Sequence, residues 1–276
     1  MVIDLLRVSR KSKGCRVAYT EKRPASTAPQ RPFVIPVFLP QAGCPQRCVF
    51  CDQYAITGSR RRNEDPARHS RFVDKFLKFR RRHRGTTQLA FFGGNFLGMA
   101  PERVRRYLDW AAAWVRRGAV DNLRFSTRPD TITPEALALI REYPVGTIEI
   151  GAQSMEDQVL SASRRGHTAM DTIQAVRQLK MEGYEIGLQI MTGLPGDSPA
   201  RAIATAEAVI ALAPAFVRIY PTLVLAGSPL AADHAADRDR LDLLQVAVRV
   251  PRAKHEEGVA AGVPPGDQQR VVALGA

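Results

Sequence analysis

Six short apolar segments, each followed by a loop and then a helical pattern, constrain this chain more than any other feature. They are FVIPVFL (33–39), TQLAFFG (87–93), NLRFST (122–127), GTIEIG (146–151), YEIGLQIM (184–191) and FVRIYP (216–221). Helical periodicity fills the intervals at 66–83, 101–117, 134–141, 155–163 with 169–182, and 199–212. Pro101, Pro134 and Pro199 stand at helix starts, where a missing N–H costs nothing. Strands alternating with helices predict an α/β fold with a parallel sheet and right-handed crossovers. The pattern admits an open doubly wound sheet or a full or partial barrel. In each case ligands collect at the C-terminal ends of the strands, and the glycine-rich and polar loops of this chain follow strands.

Hydrophobic residues make up 45% and charged residues 24% of the 276, which excludes a wholly disordered or fibrous chain. No apolar run approaches the roughly 18–20 residues that span a bilayer. The opening MVIDLLRVSRKSKG has too short an apolar stretch, with charges on the wrong side, for a signal peptide. The expectation is a cytoplasmic protein without membrane association. Three regions are expected: a basic flexible arm at 1–30, a core at 31–230 and a divergent tail at 231–276, with one helix near 236–249. Cys15 lies alone in the arm as a free thiol.

Lys and Arg number 40 against 27 Asp and Glu, a net charge of +13. That balance favours an anionic partner such as nucleic acid, although an arginine-rich codon composition produces the same skew. The excess is densest from Arg60 to Arg84, with eleven Lys or Arg and three Asp or Glu. Arg60–Arg62 and Arg80–Arg82 bracket a helix whose Phe72, Phe76 and Phe79 fall at core spacing rather than as stacking platforms. The charges read either as a solvated face or as a gathering surface for RNA.

Three of the four cysteines crowd into eight residues: Cys44, Cys48 and Cys51, spaced Cys-x3-Cys-x2-Cys in the loop after the first strand. A disulfide framework would distribute them more widely, so a metal or redox site is favoured. Thiolates suit zinc or an iron–sulfur cluster. A structural zinc site normally takes four protein ligands, and no fourth Cys or His lies close in sequence. Three ligands leave one metal position open, which suits catalysis.

Cys44, Cys48 and Cys51, with Phe50 immediately before the last cysteine, resemble the signature of the radical S-adenosylmethionine (radical SAM) superfamily. The resemblance implies a (β/α)6 partial TIM-type barrel and a [4Fe–4S] cluster held by the three cysteines, with the fourth iron chelated by SAM. It implies reductive cleavage of SAM to a 5′-deoxyadenosyl radical that abstracts hydrogen from a substrate, and an electron donor such as flavodoxin or ferredoxin. Gly93, Gly94 and Asn95 are similar to the family's loop that holds the methionine amino group. Ser126 takes the place of a residue near the SAM methionine or ribose. Gln153 and Arg165 resemble SAM contacts of the coproporphyrinogen-type and Elongator-type branches, the Arg pairing with the SAM carboxylate. Gln189 is a further candidate, and Gly193–Gly196 resembles the turn that nears the adenosine. His167 reads as structural rather than as a base, and Tyr54 as either substrate-facing or packed.

Ser126–Asp130 and Ile219–Val224 resemble the Elongator branch in particular. The expectation is therefore a stand-alone core at 31–230, without the acetyltransferase domain, acting on an unidentified and RNA-like anionic substrate. Two alternatives remain open: a coproporphyrinogen-oxidase-type enzyme acting on a porphyrin precursor, and a non-catalytic, metal-stabilised RNA-binding protein. The sequence assigns no catalytic acid or base and no oligomeric state.

Overall fold

A computed structural model describes residues 31–53, 65–80, 85–225 and 228–236. The expected arm, Cys15, Tyr54, Arg60–Arg62, Arg81, Arg82 and the tail beyond Ala236 lie outside the described residues.

The six expected strands form: β1 (Phe33–Phe38), β2 (Thr87–Phe92), β3 (Asn122–Thr127), β4 (Val145–Gln153), β5 (Glu185–Thr192) and β6 (Phe216–Pro221). All neighbours pair in parallel. The order across the sheet is β1-β2-β3-β4-β5-β6, the order of the sequence. A doubly wound sheet reverses its strand order at a switch point. This one never does, so the sheet winds in one direction and curls into a six-stranded half-barrel with helices outside.

The helices are α1 (Ser70–Leu77), α2 (Pro101–Arg116), α3 (Pro134–Ile140), α4 (Asp157–Ala162), α5 (Ala169–Met181), α6 (Pro199–Ala211) and α7 (Pro229–Ala236). Proline occupies the first turn of α2, α3 and α6, as the sequence predicts. Thr133 and Ser198 cap α3 and α6 through their hydroxyls. Thr168 and Asp171 form a reciprocal capping box on α5, satisfying two otherwise orphaned backbone donors.

One helix differs from expectation. The pattern at 66–83 gives a 3₁₀ turn, Pro66–His69, followed by α1, which stops at Leu77. Past that point Phe79 and Arg80 bond back three residues, to Phe76 and Leu77. The i, i+4 register ends there, so Phe76 is buried while Phe79 stands 46% exposed. At the other end, Ser228 accepts from the Ala231 N–H and starts α7 at Pro229; the helix expected at 236–249 lies, past Ala236, outside the described residues.

Strand parity divides the sheet. Ile35, Leu89, Leu123, Phe125, Ile148, Ile150 and Leu188 are fully buried in the main core, with Tyr107 and Leu108 of α2 and Leu179 of α5. The other, concave face carries Gln88, Arg124, Ser126, Glu149, Gln189, Arg218 and Tyr220. Period-two alternation thus sends the apolar set to the helices and the polar set into the half-barrel.

Candidate active site at the mouth of the half-barrel

The cysteine loop follows β1 and is anchored from several sides. Leu39 and Gln41 donate backbone hydrogen bonds to Phe92 and Gly93 after β2 (2.7 and 2.8 Å). Val49 N–H donates to Ser163 O at the end of α4 (3.2 Å), and Leu230 N–H of α7 donates to Val49 O (3.0 Å). The Gln46 side chain donates to Arg164 O (2.8 Å). Arg47 pairs with Asp52 and donates to Cys51 O (2.7 and 3.0 Å). Phe50 is buried with Val49, Val159, Met191, Leu194 and Leu230 in a second apolar cluster that holds the loop against the mouth.

All three cysteines are free thiols, Cys48 buried, Cys51 half-buried and Cys44 exposed. Burial, and after it the neighbouring Cys48 and Cys44, push the Cys51 thiol up to about 12. The Cys44 thiol, exposed over the residue as a whole but crowded by protein on one side, is raised by that desolvation and by Cys48, against the pull of Arg165 and Arg128. Cys44 and Cys51 are thus disfavoured as bare thiolates, a form that a bound cation stabilises. Among the described residues, no three His, Cys, Asp or Glu side chains converge closely enough to share one ion. A cubane does not require that convergence, because each thiolate takes a different iron. Three soft, mutually coupled donors on one loop fit such a cluster.

The glycine loop after β2 packs directly beneath. Gly93 turns with φ +92°. A side chain on Gly94 would lie 2.4 Å from Ala42 O and 2.8 Å from Leu39 O, so only glycine lets the two loops approach this closely. The Asn95 side chain is committed to the protein itself. Its Nδ2 donates to Gly43 O (3.0 Å), and its Oδ1 accepts from Thr127 Oγ1 (2.7 Å), Arg128 N (3.0 Å) and Thr131 Oγ1 (3.0 Å). Asn95 thus clamps the cysteine loop to the end of β3, and what this loop could offer a ligand is backbone.

At the end of β4 a register shift separates Gly151 from Gln153, and Gln153 takes φ +67°. Arg165 reaches this bulge from the end of α4. Its Nη2 donates to Gly151 O (2.7 Å), its Nη1 to Cys48 Sγ (3.3 Å), and its Nε is buried without a partner among the described residues. Gln153 and Arg165, twelve residues apart in sequence, are therefore both at the mouth. His167 is buried beside them, its Nε2–H donating to Ala152 O (3.2 Å). Burial, then the charges of Arg165 and Arg128, lower its pKa to about 4, so the ring is neutral at pH 7. After β5, Gly193 N–H donates to Asp197 Oδ2 (3.0 Å), which shapes the Gly193–Gly196 turn.

Ser126 and Gln189 lie deeper, on the concave face. Gln189 Nε2 donates to Glu149 Oε2 (2.6 Å) and stands 3.4 Å from Ser126 Oγ. The structure thus brings Gly93, Gly94, Gln153 and Arg165 to the mouth around the cysteine loop. It places Ser126 and Gln189 within the half-barrel, and Phe50 and Asn95 as supports. Sequence reasoning passed over Glu149, which accepts from Gln189, and Arg124 and Arg218, which pair with Glu149. Charged residues at alternate positions of strands that are otherwise buried were the available signal.

A six-stranded half-barrel with a three-cysteine loop at its C-terminal mouth defines a cofactor-dependent α/β enzyme class. The chain matches the radical SAM superfamily over residues 38–209 and belongs to it. It is 26% identical over 211 residues to an uncharacterized protein of Methanocaldococcus jannaschii, covering 73% of this chain and 64% of that one. It is 30% identical over 164 residues to the oxygen-independent coproporphyrinogen-III oxidase-like protein HemZ of Bacillus subtilis, covering 56% of this chain and 32% of that one. The fold is shared with Elp3 of Methanocaldococcus infernus (TM-score 0.56, 22% identity, 76% of this chain and 50% of that one). The chain spans less than two thirds of the length of each. Both branches expected from the sequence are thus represented among similar proteins. No described helix is long and apolar enough to cross a membrane.

Proposed function

We propose that this chain is a radical SAM enzyme in which Cys44, Cys48 and Cys51 ligate a [4Fe–4S] cluster and the surrounding loops hold SAM. When bound and reduced, the cluster would supply the electron that cleaves SAM to methionine and a 5′-deoxyadenosyl radical, which takes hydrogen from the substrate. The observation that carries this reading is the placement of three thiols on one loop at the C-terminal mouth of a six-stranded half-barrel, with the Arg165 guanidinium 3.3 Å from Cys48 Sγ.

The chain's own residues would divide the work. Gly93 and Gly94 would present backbone to the methionine end of SAM, with Asn95 fixing the loop. Gln153 and Arg165 would meet its polar groups, a guanidinium being suited to a carboxylate. The Gly193–Gly196 turn would border the adenosine. Arg165 also donates from Nη1 to Cys48 Sγ (3.3 Å), which ties that sulfur to the bulge at the end of β4. The cluster of Phe50, Val159, Met191 and Leu194 excludes water from one side of the loop. A flavodoxin or ferredoxin would deliver the electron.

The test is anaerobic. The protein is reconstituted with iron and sulfide, reduced with dithionite and given SAM, and 5′-deoxyadenosine is assayed beside the Cys48→Ala variant. Product that depends on Cys48 is the expected outcome. Bound zinc, with no cluster and no product, would overturn the proposal.

A further inference from the structure

On the concave face of the half-barrel two guanidiniums meet a single buried carboxylate, with a second, exposed carboxylate at the start of β5. Glu149 of β4 is fully buried. Its Oε1 accepts from Arg124 Nε of β3 (2.5 Å), and its Oε2 accepts from Gln189 of β5 (2.6 Å) and pairs with Arg218 Nε of β6 (3.1 Å). Two guanidiniums therefore share one carboxylate. The other acid on this face, Glu185, sits at the first residue of β5, accepts from Thr147 Oγ1 (2.5 Å), and acts electrostatically on Arg124.

The two arginines are not equivalent. Arg124 also donates to Gln88 Oε1 (3.1 Å), and the Phe216 ring lies 4.8 Å from its guanidinium. A side chain on Gly187 would meet that ring at 2.3 Å, so glycine there lets Phe216 close over Arg124. The Arg124 side chain is 4% exposed. Arg218 is 29% exposed and faces the open half-barrel. Its Nε is engaged by Glu149 and its Nη1 donates to Tyr220 OH (3.3 Å). Its Nη2 has no hydrogen-bond partner among the described residues. The Phe92 and Phe216 rings flank the group at 5.8 and 6.0 Å, holding its plane while supplying no counter-charge.

We propose that Arg218, assisted by the Tyr220 hydroxyl, is an oxyanion-binding subsite inside the half-barrel that takes a carboxylate or phosphate group of the substrate. This rests on the functional reading above for what is bound, and on the charge arrangement alone for where. A guanidinium pinned through Nε presents its remaining N–H groups in a fixed fork, which matches the geometry of an oxyanion. Partial burial between aromatic walls strengthens that attraction over what a surface arginine offers. The anionic group would set the orientation in which the rest of the substrate meets the mouth.

The test uses the full chain, anaerobic and without SAM, at constant ionic strength. Melting temperature is followed against inorganic phosphate and against acetate, with chloride as the balancing salt. Wild type is expected to rise with one or both anions, beyond chloride. A phosphate-only response would assign a phosphate-bearing substrate, an acetate-only response a carboxylate. Arg218→Gln is expected to weaken the apparent affinity at least tenfold, while Arg105→Gln, on the exposed outer surface, leaves it unchanged. Should the Gln variant fail to fold, Arg218→Lys keeps the charge beside Glu149 and is expected to weaken binding at least threefold. An equal response in wild type and the Arg218 variants, or no response beyond chloride in wild type, would overturn the inference. SAM cleavage by wild type without an anion response would overturn this inference alone. An anion response without SAM cleavage would overturn the functional reading alone.

Discussion

His167 makes the stability of this fold depend on pH in a way that can be worked from the structure. The ring is buried against Ala152, and burial together with Arg165 and Arg128 lowers its pKa from 6.5 to about 4. In the unfolded chain the same ring takes a proton near pH 6.5. Between those values the unfolded state binds a proton that the native state refuses, so stability falls as pH falls from about 6.5 towards about 4. Below both values the contribution is constant. From pH 7.5 to 5.0 the linkage amounts to about 2 kcal/mol for this one group. Carboxylates and His69, whose pKa burial also lowers, add their own dependence, so the informative quantity is a difference. Urea unfolding of wild type and His167→Gln at both pH values should show wild type losing about 2 kcal/mol more than the variant on acidification. The same loss in both proteins would refute the reasoning, and would mean that the ring is solvated or that a carboxylate compensates it.

Two further substitutions test the packing. Asn95→Ala removes a buried amide that satisfies the Gly43 carbonyl and three donors after β3. It should cost about 1–3 kcal/mol in urea unfolding and should raise amide exchange at Arg128, whose N–H loses its acceptor. Leu123→Ala leaves a cavity in the fully buried layer between β3 and the helices. A loss of about 2–5 kcal/mol is expected by the same assay, and less than about 1 kcal/mol would contradict the tight packing described.

The sequence was most informative where structure depends on local period and chain direction. Strand and helix positions follow from alternation and from prolines that can only begin helices, and most bounds agree to within one or two residues. Whether the sheet closes as a barrel or opens about a switch point depends on strand order, which no local pattern carries. The expected length of α1 failed for a related reason. The aromatic spacing continues to Phe79, but the helical hydrogen bonding stops at Leu77, and spacing does not report where bonding ends. The cysteine loop and the residues at the mouth were legible because they cluster in motifs. The Arg124–Glu149–Gln189–Arg218 network was not, because its members come from four strands and become neighbours only through register, as in Ser126↔Glu149 and Gln189↔Arg218.

That network also bears on how the half-barrel tolerates a charged interior. A buried carboxylate without partners would be neutralised or would destabilise the fold. Glu149 is held by two guanidiniums and one amide, more than its charge alone requires. If the arrangement served stability only, Arg124 with its Gln88 and Phe216 contacts would suffice, and apolar residues of similar volume would serve as well or better. A second, half-exposed arginine facing open space adds desolvation cost without adding a needed partner. The mouth shows the same economy in reverse. Asn95 and Phe50 are fully engaged by the protein, whereas Gln41 Nε2, Ser163 Oγ, Arg165 Nε and His167 Nδ1 are buried at the rim without a partner among the described residues. Unmet polar capacity is thus found at the cysteine-loop rim and at Arg218 within, as well as at scattered buried atoms such as Arg103 Nε and Thr172 Oγ1. The rim and Arg218 are the two places that the proposals above assign to a cofactor and to a substrate.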